Sequence, residues 1–403
     1  MLYHNMYGCV WVTLRARFGA VSSRTLLRTL ANQLRNRHKE GPHMKFGLMY
    51  EIQIPEPHYP GIVQDTYKQV IAQVMLAEEM GFDHFWTVEH HFLTEFSYCP
   101  APEVLYGAIS QRTSKIRIGH AVALLPPQYN HPIRVAERAA VLDILSDGRC
   151  ELGTGRSTTL IEMGGFNINP EETKAMWEEA VAMIPRMWLE DPFSHEGRFF
   201  KVPPRSVIPK PVQKPHPPLW VACAQPDSFT AAGKKGLGAL CFNIGNPEEL
   251  TRRVDLYREA VRQAEPVGAF VNDKVAALGI IHCAESDKQA REIGGPRGMW
   301  FLNKSLELYR PWQEQGVKVP DSYKFAVGAL QGERSGKSLD DLIEGGMFCM
   351  GNPDTCIRIL KKYQAAGVDQ VLCFMQFGGL PHQNIMDSIR LFGKHVIPYF
   401  RNA

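Results

Sequence analysis

Thr87-Val88-Glu89-His90-His91-Phe92-Leu93-Thr94-Glu95-Phe96 follows the short apolar run Phe85-Trp86, which itself follows a helical stretch ending Glu78-Glu79-Met80-Gly81-Phe82. A helix stopped by glycine, a short buried strand and a loop that opens on polar residues make one βα unit. The rest of the chain repeats the rhythm. Strands are expected at 45–50, 84–88, 117–125, 150–153, 219–223, 239–242, 275–283 and 370–374. Helices are expected at 65–80, 103–112, 133–145, 171–189, 227–235, 247–263, 353–366 and 384–399. Strands such as Arg117-Ile-Gly-His-Ala-Val-Ala-Leu-Leu125 are apolar almost throughout, which suits a parallel strand covered on both faces. Eight such repeats select an α/β fold, a closed (β/α)8 TIM barrel rather than an open doubly wound sheet.

Two stretches interrupt the alternation. The proline-rich connection 203–218 reads as a loop lying over the barrel, because βα alternation resumes unchanged after it. Residues 290–345 are too long for an ordinary connection and read as an insertion before the last helix–strand–helix segment, placed to cover a site. Residues 1–43 carry seven Arg and Lys residues (Arg15, Arg17, Arg24, Arg28, Arg35, Arg37 and Lys39) against Glu40 alone. They read either as an organelle transit segment or as an extension upstream of a start at Met44. The abrupt strand Met44-Lys45-Phe46-Gly47-Leu48 favours the second, and the barrel domain is taken as 44–403.

The overall charge of +3 therefore conceals a mildly acidic body, which argues against a nucleic-acid partner. No apolar run approaches the roughly 18–20 residues of a membrane span. Nine cysteines are scattered without a C-x-x-C pair, the pattern of reduced thiols in a cytoplasmic enzyme.

In a barrel of this kind the C-terminal strand ends form the reactive face. His90 and His91 lie there, and an imidazole exchanges protons near neutral pH. They read either as an acid/base pair or as structural histidines beside Glu89. Gly153-Thr154-Gly155-Arg156-Ser157 follows another strand; its glycines allow close approach to a phosphate and Arg156 can bind one, although a tight structural turn explains the glycines equally well. Ala222-Cys223-Ala224-Gln225-Pro226-Asp227-Ser228 follows the next strand and opens a helix, where Ser228 serves either a phosphate or the helix cap. Together the two loops argue for one phosphorylated ligand. His120 reads as a lining of the barrel top or as a core histidine. Cys223 reads as structural. A metal site would need His282 or His382 as distant ligands, and no H-x-H or H-E-x-x-H motif supports one.

The opening Met44-Lys-Phe-Gly, the Glu89-His90-His91-Phe92-x-Thr94-Glu95-Phe96 stretch, Leu145-Ser-Asp-Gly-Arg149 leading to Gly153-x-Gly155-Arg156, Pro218-Leu-Trp-Val-Ala222 and Gly351-Asn-Pro353 occur in this order. In that combination the chain from Met44 onward resembles the bacterial luciferase-like, flavin-dependent monooxygenases. The resemblance implies a barrel that binds reduced FMN, whose reaction with oxygen gives a flavin hydroperoxide able to oxygenate an aldehyde, ketone or similar small organic substrate. It implies His90 as the catalytic histidine and His91 as the second of the motif. Arg156 and the helix opening near Ser228 then fall at the phosphate, and Ala121-Val122 at a non-proline cis peptide under the flavin ring. Gly155 stands where luciferases have a reactive cysteine, and Cys223-Ala224-Gln225 replaces a serine-rich phosphate loop. No nucleotide domain is evident, so a separate flavin reductase is the implied partner, with no membrane partner; a homodimer is allowed but not specified. Deazaflavin-dependent hydride transfer on the same barrel, and a non-catalytic flavin-binding subunit, remain the alternatives.

Overall fold

The computed structural model describes residues 43–402, apart from 243–246, 315, 317, 326–327 and 329–336. The expected extension thus lies outside the described residues but for His43. Residues 44–403 form one compact unit.

Its centre is a closed barrel of eight parallel strands: β1 (Lys45–Tyr50), β2 (His84–Thr87), β3 (Arg117–Leu124), β4 (Cys150–Gly155), β7 (Leu219–Cys223), β8 (Gly238–Cys241), β9 (Val275–Cys283) and β11 (Gln370–Gln376). β1 pairs with β11 and β9 with β8, which closes the ring. The expected strands are therefore present, with ends moved by one or two residues. Helices lie between them: α1 (Ile62–Glu79), α2 (Pro102–Ser110), α3 (Pro132–Leu145), α4 (Leu160–Gly165), α5 (Thr173–Leu189), α6 (Pro226–Lys234), α7 (Pro247–Val261), α8 (Asp287–Glu307), α9 (Pro311–Glu314), α10 (Leu339–Glu344), α11 (Pro353–Ala365), α12 (His382–Leu391) and α13 (Ile397–Arg401). The expected closing helix 384–399 is α12 and α13 joined by one π-helical turn, Phe392–Val396.

Side chains fill the barrel interior. Trp86 of β2 meets Trp220 of β7 edge to face, with centroids 5.5 Å apart. The facing strands make room with glycine: a Cβ on Gly119 would lie 2.1 Å from the Trp86 ring, and one on Gly238 would lie 2.3 Å from Trp220. At the floor, Glu151 accepts from Arg117 Nε and from Trp220 Nε1 (2.7 Å) and lies 3.7 Å from His84. Burial raises its pKa, but the Arg117 charge and these hydrogen bonds outweigh it and hold it at about 2. This charge cluster sits at the N-terminal strand ends, where a barrel keeps its stability groups rather than its chemistry.

Three strands, the short helix α4 and the helices within 287–344 were not foreseen. Phe193–Glu196 and Lys201–Arg205 (β5 and β6) form an antiparallel hairpin whose second strand takes in the start of the proline-rich connection. Phe348–Gly351 (β10) is a ninth parallel strand, paired with Ile280–Cys283 on the side opposite β11, beyond the residues that pair with β8. The stretch 290–345 begins inside α8 rather than with irregular chain. Its later part carries Trp312 and Tyr323 into a small second core with Met163 of α4 and Ile168 just after it. Trp312 also donates to Thr158 O at 2.9 Å.

Candidate active site

β1 and β2 end side by side, and the chain after each is folded onto the other. Tyr98 N donates to Ile52 O, Ile54 N to Glu95 O, and Ser97 Oγ to Glu51 O at 2.7 Å. Gln53 and Gln376 exchange side-chain and backbone hydrogen bonds across β1 and β11. The loop is tight enough that Ile52, Phe92 and Glu95 all have φ near +60°. That is an uncommon conformation for any non-glycine residue, most of all for a β-branched one, and it clusters where function constrains the backbone. The result is a fixed position for Glu51, Glu89, His90 and His91.

His90 lies between two carboxylates. Its Nδ1 is 2.9 Å from Glu162 Oε1 and its Nε2 is 3.5 Å from Glu51 Oε2. Glu162, fully buried at the start of α4, also accepts from His91 N (3.0 Å), Ser157 Oγ (2.8 Å) and Thr159 Oγ1 (2.7 Å). Four donors on one carboxylate fix it as an anion. Burial works to raise its pKa, and the His90 charge with these hydrogen bonds lowers it. Burial works to lower His90, and Glu162 and Glu51 override it, lifting the imidazole to about 9. Glu51 is raised to about 7, first by burial, with His90 opposing and Glu162 assisting.

His91 occupies separate surroundings, as neighbours on an extended chain should. Its Nε2 is 3.3 Å from Glu89 Oε1, its ring stacks on Tyr129 (5.9 Å, 12°), and Phe166 meets its edge at 4.8 Å. Glu89 further accepts from Leu124 N and Asn130 Nδ2.

The strand β4 runs through Gly155, so Gly153-Thr154-Gly155 is ladder and not a free phosphate loop. These glycines admit neighbours. A Cβ on Gly153 would be 2.1 Å from His120 O, and one on Gly155 would be 2.3 Å from Val122 Cγ2. The Ala121–Val122 peptide is cis, at the position the resemblance implies, and the β3–β4 register shifts across it. Arg156 follows directly. Its Nη1 donates to Thr173 Oγ1 (3.2 Å) and Ser322 Oγ (3.3 Å), and the guanidinium lies 4.9 Å from the centre of the Tyr323 ring. Those partners among the described residues are neutral, which leaves the cation free to receive an anion. Ser157, next in sequence, connects this end of β4 to His90 through Glu162.

Ala222 sits half-buried on β7, with its Cβ 3.9 Å from where a Gly155 Cβ would be. Ser228, expected at a phosphate or at the helix cap, is the third residue of α6. Gln225 caps α6, and Ser228 Oγ donates to Gln225 O (2.6 Å) while accepting from Ala224 N and Gln225 N (both 3.1 Å). Its hydroxyl is committed to the turn. His120 faces Tyr106 outside the barrel, at 4.7 Å, and burial lowers its pKa to about 4; it is a core histidine and not part of the mouth. Cys223 is buried, and burial raises its thiol pKa far above the usual range. His382 Nδ1 lies 2.9 Å from Gln73 Nε2, and His282 is enclosed against α8. Among the described residues no group of three or more His, Cys, Asp or Glu side chains is arranged to hold a metal ion.

Sequence reasoning missed Glu51 and Glu162. The first had a signal: a lone carboxylate closing the apolar strand Phe46–Tyr50, at the reactive end of a barrel strand. Glu162 had none, being 72 positions from His90 in a stretch without periodicity.

The family model described as luciferase-like monooxygenase matches residues 44–370. The oxygenase component of a flavin-dependent trigonelline monooxygenase from Acinetobacter baylyi is 26% identical over 354 residues, 84% of this chain and 91% of that protein. Among solved structures, the monooxygenase RslO1 from Streptomyces bottropensis is similar with a TM-score of 0.73 and 26% identity, over 89% of this chain and all of that one. The oxygenating constituent of 3,6-diketocamphane monooxygenase from Pseudomonas putida, solved with FMN, shares the fold with a TM-score of 0.71 at 21% identity, over 88% and 98% of the two chains.

Proposed function

Because the chain belongs to the luciferase-like monooxygenase family, we propose that it is the oxygenase of a two-component system: a partner reductase supplies reduced FMN, and one atom of oxygen enters a small organic substrate while the other leaves as water. The observation that carries this reading is His90, held by Glu162 at one nitrogen and kept protonated near neutral pH, with Arg156 at the end of β4 meeting only neutral partners among the described residues. The similarity to a relative named as an oxygenase component supports the separate reductase.

The residues present suit FMN. Arg156, with the Thr173 and Ser322 hydroxyls around it, has the charge and donor set for a phosphate, and no carboxylate among its described partners competes. Gly155 with Ala121-Val122, and Ala222 beside them, form a close-packed floor of small residues that would accept a flat ring. Ser228 supports the β7–α6 turn instead of offering its hydroxyl. Reduced FMN, when bound, would supply two electrons and activate oxygen, chemistry that side chains do not provide.

The chain's own contribution is positioning, dryness and a proton. Glu162 fixes the His90 ring by holding its Nδ1 proton, so proton transfer is confined to Nε2. His91, Tyr129 and Phe166 wall one side. Trp312 and Tyr323, brought by the insertion, pack over α4 and exclude water, which a reactive oxygenating species requires. The substrate is a small organic molecule such as an aldehyde or ketone.

Anaerobic titration with photoreduced FMN and with reduced deazaflavin tests the cofactor, and His90→Ala tests the chemistry. The proposal expects FMN to bind preferentially, and His90→Ala to bind it normally while turnover falls about 10²–10⁴-fold. Selective binding of deazaflavin with hydride transfer in the absence of oxygen would replace this reading with the deazaflavin one.

A further inference from the structure

Glu162 and Glu51 approach opposite nitrogens of one ring, and they are not equivalent. Glu162 has each oxygen occupied by two donors. Glu51 Oε2 is buried and accepts no hydrogen bond of good geometry from the described residues, though it lies 3.5 Å from His90 Nε2. A buried carboxylate oxygen left so is costly unless a proton resides on it or arrives there. We propose that Glu51 is the proton partner of His90 Nε2: the two side chains share one proton, and the position of that proton decides whether His90 meets the reaction as a cation or as a neutral ring.

The step balances within the pair. The proton leaves Nε2 of the imidazolium and binds Glu51 Oε2, giving neutral imidazole and carboxylic acid; the reverse restores the two charges. Nδ1 takes no part, because its proton is held by a carboxylate fixed by three other donors. The other titratable groups around the pair are Glu162 on α4, Glu89 on the same loop and Cys99 beyond it; Tyr129 after β3 acts on Glu162 and Glu89, and the His91 ring contacts Glu89. Of these, Glu89 is occupied by Asn130 and Leu124, while Cys99 and Tyr129 are neutral at pH 7 because burial raises both. Glu51 is thus the carboxyl placed to exchange a proton with His90 in the neutral range. The structural support at this position comes from the Glu51 backbone carbonyl, which accepts from Ser97, so Glu51→Gln keeps it.

This deepens the reading of His90 as the acid/base residue and rests on it, but it is tested without flavin or substrate. Nitrogen NMR of the flavin-free protein, labelled in histidine, follows His90 from pH 5 to 10, with the signal identified by its loss in His90→Asn. The wild type should show two coupled steps, one near 7 and one near 9. Glu51→Gln should show one step, lowered by about one pKa unit or more, the effect of removing an adjacent opposite charge. Glu51→Asp should keep two. An unchanged His90 titration in Glu51→Gln overturns the proposal. Infrared spectra of the wild type supply a measurement free of substitutions: a buried carboxylic-acid band must vanish between pH 6 and 8, and its absence at pH 6 also overturns it. Loss of turnover control by His90 with both steps intact would instead reject the monooxygenase reading alone.

Discussion

Replacing Glu162 by alanine should be among the most damaging single changes outside the hydrophobic core, and its cost should depend on pH. The carboxylate accepts from His90 Nδ1, His91 N, Ser157 Oγ and Thr159 Oγ1 at 2.7–3.0 Å, with no solvent to replace it. Hydrogen bonds to a charged group are worth about 1.5–3 kcal/mol each, but those sharing one acceptor do not add. Removing one member of a buried ion pair costs about 3–5 kcal/mol, and that is the loss expected at pH 7. The pH-dependent part follows from His90, raised from 6.5 to about 9 against the pull of burial. A raised folded-state pKa stabilises fully below about pH 6.5, and the contribution is lost as pH rises through about 9. Its size is about 3 kcal/mol, shared between Glu162 and Glu51. The Glu162→Ala penalty should therefore shrink by about 1–2 kcal/mol between pH 6.5 and 10. It should shrink again in acid, because Glu162's lowered pKa stabilises only above the ordinary carboxylate range and is lost as pH falls through the folded value. Guanidinium unfolding followed by tryptophan fluorescence, repeated at about pH 3.5, 7 and 10, measures both. A penalty below about 1 kcal/mol at pH 7, or one that is flat with pH, would refute the reasoning.

Arg156→Ala should weaken reduced-FMN binding by about 10–100-fold, the loss of charge-assisted hydrogen bonds to a phosphate, and leave the melting temperature nearly unchanged because its partners among the described residues are neutral; anaerobic fluorescence titration reads it. Gly155→Ala forces a methyl group against Val122 and should cost about 1–3 kcal/mol, partly recovered by adding Val122→Ala, as unfolding curves of the single and double variants will show. Trp312→Ala removes the ring stacked on Tyr323 at 5.0 Å and the bond to Thr158 O; it should raise protease cleavage around that segment and speed futile oxidation of bound flavin, with the barrel's own melting temperature falling little.

The barrel was legible because its strands are apolar runs closed by glycine, proline or polar residues, a signal that survives in a single sequence. Strand β10 was not. It has four residues, starts one residue after Gly345-Gly346, and is held by β9 rather than by its own pattern. The hairpin of β5 and β6 was hidden by prolines at 203 and 204, tolerated there because a two-stranded sheet is all edge. At the site, His90, His91 and Arg156 stand at strand ends, where position alone suggests chemistry. Ser228 suggested a phosphate contact because it stands near a helix start, and in the fold its hydroxyl is taken up as the third helical residue of a capping box whose N-cap is Gln225. Gly153 and Gly155 looked like a phosphate loop and are packing positions in β4. The carboxylates that tune His90 come from β1 and α4, and only folding brings them to the ring.

The central claim, that this barrel directs the reaction of reduced FMN with oxygen, is tested most directly by stopped flow. Protein loaded anaerobically with photoreduced FMN is mixed with oxygenated buffer, and the flavin absorbance is followed with and without protein. The account predicts that the bound flavin returns to its oxidised form far more slowly than free FMN, and that the return quickens in His90→Ala or when Trp312 is removed. Reoxidation at the rate of free FMN, with all the flavin shown to be bound, would contradict it.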